Sequence, residues 1–158
     1  WAVFALASQE KDADVETLLA LARPAADDPH FGVREWSWMA VRPHMVPQLD
    51  EAIRALRQWT SEPSERIRRF AGEALRPRGV WARHIPVLKK EPERGLPLLE
   101  PLRADSSRYV QDSVANWVND ASKTQPTWAI ELCERWREES PGPATERIIK
   151  RALRSIGR

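Results

Sequence analysis

The chain has 158 residues, enough for one domain with a substantial core, and 25 Lys+Arg against 23 Asp+Glu leave a formal net charge of only +2. The single cysteine, Cys133, excludes an internal disulfide and reads as a small buried hydrophobe in a reducing cytoplasm, and the histidines form no Cys/His cluster at zinc-ligand spacing. No apolar run approaches the ~20 residues of a membrane span, and period-two alternation is nearly absent, so the sequence predicts an all-α protein without metal, cofactor or membrane.

In chain order, Ala2 to Leu6 and Val15 to Leu21 are expected to form a first, capping unit. VREWSWMAVRP at 33–43 follows, and then Pro47 to Thr60, which sets Leu49, Ile53, Leu56 and Trp59 at helical spacing. IRRFAGEALRP at 67–77 precedes two shorter apolar runs, His84 to Lys90 and Leu96 to Arg103, which Pro92 and Pro97 interrupt. VQDSVANWVND at 110–120 leads to Pro126 to Glu138, where Trp128, Leu132 and Trp136 share one helical face, and TERIIKRALRS at 145–155 closes the series. The chain begins at Trp1 without a methionine and is expected to lack N-terminal residues of a longer protein, so a missing signal peptide carries no information.

The segments at 33–43, 67–77, 110–120 and 145–155 superimpose, with starts 34, 43 and 35 residues apart. That interval accommodates a helix, a turn and a second helix, near the period of HEAT and armadillo arrays. The expected fold is therefore a single right-handed α-solenoid of HEAT-like repeats over 1–158, with the recurring segments as its inner helices. In that layer Arg42, Arg76, Asn119 and Asp120 would share a concave surface, with Glu73 and Asn116 one turn earlier.

Two stretches stand out. DSVANWVNDASK at 112–123 buries Val114, Trp117, Val118 and Ala121 on one helical face and carries Asp112, Asn116, Asn119, Asp120 and Lys123 on the other. Asn and Asp compete with helical backbone bonding, so four of them on one face suggest a task beyond solubility. From Arg66 to Lys90, eight basic residues (Arg66, Arg68, Arg69, Arg76, Arg78, Arg83, Lys89 and Lys90) stand against one acid, Glu73, a local field suited to a polyanion or an ordinary pair of basic helix faces.

RRFAGEALRPRGVWA at 68–82 resembles the R-R-x-A-S-E-G-x-R-P-R-L-P-W stretch of the HEAT-repeat DNA alkylation repair family (AlkC/AlkD type), and DSSRYVQDSVANWVNDASKTQP at 105–126 is similar to its D-x-S-x-Y-V-R-R-S-V-A-N-H-L-N-D-I-x-K-x-x-P. MAVRP at 39–43 and IIKRALRS at 148–155 match the family's F-A-I-R-P and I-V-R-H-A-L-R in the same order. The resemblance implies a DNA glycosylase that releases purines alkylated at N3 or N7 from duplex DNA, working as a monomer in the cytoplasm or at a prokaryotic nucleoid. Asp120, Glu73 and Trp81 then fall on the family's catalytic carboxylates and on the aromatic wall against the deoxyribose. Arg42, Arg69, Arg76, Arg78, Asn116, Asn119, Lys123, Lys150 and Arg151 become the expected DNA contacts.

Departures from the family pattern are specific. The glutamate of E-F-A-I-R-P falls on Trp38; Glu35 stands one turn earlier, a shift of roughly 4.5 Å along the axis. Both are candidates for catalysis or lesion contact. The arginine pair before S-V-A-N becomes Gln111 and Asp112, and the Arg-His pair of the last repeat becomes Lys150 and Arg151. These exchanges keep open a second reading, a non-catalytic HEAT scaffold that binds damaged or branched DNA or a protein partner.

Overall fold

The computed structural model describes residues 2–9 and 12–156, and every regular element among them is helical. The first unit pairs α1 (Ala2–Gln9) with α2 (Val15–Ala26), which starts where the Asp14 carboxylate accepts the Thr17 amide, an N-cap worth ~1 kcal/mol. Next come α3 (Phe31–Met45), α4 (Leu49–Trp59) and α5 (Glu65–Glu73), with Ser64 capping α5 through the Arg66 amide. The short α6 (Pro86–Lys90) and α7 (Leu96–Leu99) follow, then α8 (Arg108–Ser122), capped by Ser107, α9 (Pro126–Glu139) and α10 (Pro143–Ala152).

The recurring segments lie on α3, α5, α8 and α10, and these pack in succession as one row. A second row is built from α2, α4 and α7, with α9 set against α8 and α10, so the chain is an α-solenoid of helical repeats. The interval of 43 residues has a local cause. Pro86, Pro92, Pro97 and Pro101 each stand in the first turn of a short helix or 3-10 turn, and together they break the third partner helix into pieces.

Three tryptophans, Trp38, Trp117 and Trp136, anchor the core between the rows. Each removes ~200 Å² from water, on the order of 5 kcal/mol at 25 cal/mol per Å². Trp117 lies so close to Gly95 that a Cβ there would come within 2.3 Å of the ring, which is why the partner helix must carry glycine at its approach. Cys133 is buried beside this core, and burial pushes its thiol up to about 12, which makes it a packing residue with no nucleophilic character at neutral pH.

Polar contacts repeat with the fold. Arg34 donates to the carbonyls of Asp28 and Pro29, and Arg68, 34 positions on, donates to those of Glu62 and Pro63. Each arginine thereby satisfies the turn that leads into its own helix. Near the C-terminal end of α3 Arg42 reaches Ala74 O, and near that of α8 Asn119 reaches Ala152 O, each a helix-terminal carbonyl of the following repeat.

Candidate active site

Asp120 is in the last turn of α8 and is 4% exposed. Its Oδ2 accepts Arg76 Nε at 2.9 Å, while Oδ1 has only Lys123 Nζ at 4.0 Å. The same Arg76 guanidinium donates through Nη1 to Glu73 Oε1 at 2.7 Å, so one planar fork fixes two buried carboxylates from different repeats. Burial works against the charge of Arg76, but Glu73 and Asp120 outweigh it and the guanidinium is held above its ordinary range. Glu73 Oε2 accepts the Ser113 hydroxyl at 2.6 Å and lies 3.7 Å from Arg69 Nη2.

Arg69 extends the network toward α3, with Nη2 3.9 Å from Glu35 Oε1. Its guanidinium stacks on Tyr109 at 4.1 Å, and Nη1 donates to the Tyr109 carbonyl. Three carboxylates, Glu35, Glu73 and Asp120, therefore surround two guanidiniums, Arg69 and Arg76. A fixed, mostly buried array of carboxylates is suited to stabilise a developing cation.

Trp81 contrasts with this buried set. It is 90% exposed and its φ is +61°, a left-handed backbone that a bulky residue rarely adopts. The loop that presents it is pinned from α3: Arg42 donates to Ala74 O, Arg76 O and Arg83 O, and Ile85 N returns to Pro77 O. Arg78 ties the loop to the helix end by donating to Asp120 O at 3.3 Å. Beside Trp81 opens a mainly apolar cleft of about 480 Å³, which includes Met39, Pro43, Val46 and His84.

The expected site residues divide accordingly. Asp120, Glu73, Arg76, Arg69 and Glu35 come together, Arg78 reaches the same helix end through Asp120 O, and Trp81 stands exposed on the loop that Arg78 ties there. Lys123 and Lys150 are exposed, and half-buried Asn116 accepts a bond from Arg154. Several expected contacts are engaged within the fold. Arg42, expected to contact DNA, is 2% exposed and committed to three carbonyls, and its burial pulls it down to about 10. Asn119 is also 2% exposed, and its amide is used on Ala152 O and Ser155 Oγ. Trp38 is buried in the core, and its indole N–H donates to Glu35 Oε2 at 3.2 Å. Arg151 is ion-paired with Asp112, which also holds Arg147, so the acid in place of an arginine neutralises the cations of the next repeat.

Ser113, Tyr109 and Arg34 were not singled out from the sequence. Arg34 had a signal in its equivalence to Arg68 at the repeat interval, and Tyr109 stood within the matched motif. Ser113, one residue after Asp112, had none, because its function depends on Glu73 40 positions earlier.

No family model matches the chain. It is 41% identical over 120 residues to the uncharacterized protein YhaZ of Bacillus subtilis (strain 168), which covers 76% of this chain and 33% of YhaZ. In structure it is similar to Pseudomonas fluorescens alkylpurine DNA glycosylase AlkC bound to DNA containing an abasic site analog, with TM-score 0.77 and 27% identity over 98% of this chain and 42% of AlkC. Its fold is also that of Streptococcus mutans AlkD2, with TM-score 0.58 and 20% identity over 99% of this chain and 89% of AlkD2. The chain thus spans a third of YhaZ's length and less than half of AlkC's. In its motifs and their order, its helical repeats and its structure, the chain is similar to the HEAT-repeat DNA alkylation repair family.

Proposed function

We propose that the chain carries the catalytic part of a DNA glycosylase that hydrolyses the N-glycosidic bond of purines alkylated at N3 or N7 in duplex DNA. Alkylation gives the base a positive charge, so it leaves as a neutral molecule and needs little acid catalysis. The barrier that remains is the cationic sugar, which approaches an oxocarbenium ion as the bond to C1′ breaks. Asp120, through the lightly engaged Oδ1, stabilises that charge, while Arg76 and Glu73 hold its carboxylate in place.

Trp81 packs against the deoxyribose, so the lesion is read without being drawn deep into a pocket. An exposed tryptophan at a strained backbone position, tied to the helix that carries Asp120, is the observation that carries this reading. Arg78, Lys123 and Lys150 supply phosphate contacts, which makes affinity depend on salt. The protein acts as a monomer on double-stranded DNA, within a single HEAT-like repeat domain.

The test is release of 3-methyladenine and 7-methylguanine from methylated duplex by wild type beside Asp120→Asn. Release by wild type and a loss of about 100-fold or more in the variant supports the assignment; equal rates would remove Asp120 from its role. A second reading, a scaffold for damaged or branched DNA, is favoured by Asp112 alone, because it cancels Arg147 and Arg151 on the row that would face phosphates. Undiminished DNA binding with no base release would establish it.

A further inference from the structure

Arg42 stands in the last turn of α3, and the loop that follows α5 wraps its guanidinium. Nη1 donates to Ala74 O at 2.9 Å, and Nη2 donates to Arg76 O at 2.7 Å and to Arg83 O at 2.8 Å. One planar group thus joins the carbonyls where the chain leaves α5 to a carbonyl two residues beyond Trp81. Gly79 lies so close that a Cβ there would be 3.3 Å from the guanidinium carbon. The loop adds two backbone bonds of its own, from Ala82 N to Gly79 O and from Ile85 N to Pro77 O. Trp81 is held within this clamp at φ +61°, and a bulky left-handed residue persists only where its surroundings fix it.

The same clamp reaches Asp120. Arg76, whose carbonyl Arg42 holds, donates through Nε to Asp120 Oδ2, and Arg78 donates to Asp120 O. His84, which shares the cleft with Trp81, also feels the Asp120 charge. We propose that Arg42 is the positioning residue that holds Trp81 in register with Asp120, so that a side chain buried away from DNA sets how well the site grips its nucleotide and how fast it reacts. The effect on rate rests on the glycosylase reading above, whereas the effect on binding stands without it.

Lysine at this position keeps the charge and the apolar stem, but it is a point donor on a flexible chain and does not hold three carbonyls in fixed directions. Without the fork, the loop relaxes from the left-handed conformation and Trp81 shifts relative to Asp120. A shift of about 1 Å from a change remote from the chemistry costs up to about 100-fold in rate. Arg42 therefore acts through Trp81 and needs no contact with DNA, consistent with its 2% exposure.

The experiment is a double-mutant cycle of wild type, Arg42→Lys, Trp81→Gly and the pair, read in single-turnover release of 7-methylguanine from duplex and in affinity for an abasic duplex. With Trp81 present, Arg42→Lys is expected to slow release on the order of tenfold and to weaken binding several-fold. On the Trp81→Gly background the same change is expected to alter either quantity by less than about twofold, because the residue it acts through is gone. Equal losses in both backgrounds overturn the proposal, since they make Arg42 a support of the fold alone, and so does no loss in either. Should Arg42→Lys fail to fold, Gly79→Ala reads the contact from the loop side. Three bonds hold the guanidinium, so the added Cβ displaces the loop, and the loss is again expected only where Trp81 is present. A wild type that releases no base refutes the glycosylase reading, and the binding arm of the cycle then decides the role of Arg42 by itself.

Discussion

Arg76 is the structural keystone of the site, and replacing it by methionine shows how much the fold depends on it. Methionine approximates the apolar stem but leaves Asp120 and Glu73, 5% and 4% exposed in their side chains, without the fork that joins them. Glu73 keeps the Ser113 hydroxyl and Arg69 at 3.7 Å, and Asp120 keeps only Lys123 at 4.0 Å. Removing one partner of a buried ion pair costs about 3–5 kcal/mol, and the residual contacts of Glu73 place the loss at ~3 kcal/mol. Against a total of roughly 5–15 kcal/mol for a domain, that is a large share. Urea unfolding at neutral pH is expected to show it as a lower midpoint at unchanged m-value. A neutral-pH loss below ~1 kcal/mol would refute the view that Arg76 holds the two acids.

Gly95→Ala forces a Cβ to within 2.3 Å of the Trp117 ring and is expected to cost ~1–3 kcal/mol, read as a lower melting temperature. The raised Glu35 carboxyl means that the folded protein binds this proton more tightly than the unfolded chain. Its ionisation therefore lowers stability as pH rises from the ordinary carboxylate value through the raised one. Glu35→Gln should be more stable than wild type at pH 7 and lose that advantage on acidification, as thermal melts across pH will show. Trp81→Gly relieves a left-handed residue while freeing the unfolded chain, so stability is expected to stay within ~1 kcal/mol of wild type. Its affinity for an abasic duplex, measured by fluorescence anisotropy, should fall on the order of tenfold; unchanged affinity would remove Trp81 from the DNA contact.

The repeat was legible because the inner helices share a register, and a shared register means a shared packing problem. Val41, Leu75 and Val118 are each fully buried near the ends of their helices. The proline-broken third partner helix was legible too, since Pro92 and Pro97 interrupt its apolar runs. What periodicity misjudged was which polar residues are free. Arg42 and Asn119 looked like surface groups, but each finds a helix-terminal carbonyl 32 or 33 positions on, and one chain position says nothing about what the next repeat presents to it.

Trp38 shows the same limit from the other side. In the motif it reads only as a lost carboxylate, whereas in three dimensions its indole supports Glu35, three residues before it. Asp112 was conspicuous in sequence as an acid at an arginine's place, but its effect lies on Arg147 and Arg151, 35 and 39 positions later. Local pattern therefore located the candidate site, and long-range pairing decides which of its members can reach a ligand.

The central claim is that this helical array holds a carboxylate to assist departure of an alkylated base. It is tested most directly by incubating an excess of the protein with duplex carrying one 7-methylguanine and following free base and abasic sites over time. The account predicts stoichiometric appearance of both with wild type, at least 100-fold slower with Asp120→Asn although binding persists. Tight binding of the same duplex by wild type with neither product formed would contradict it.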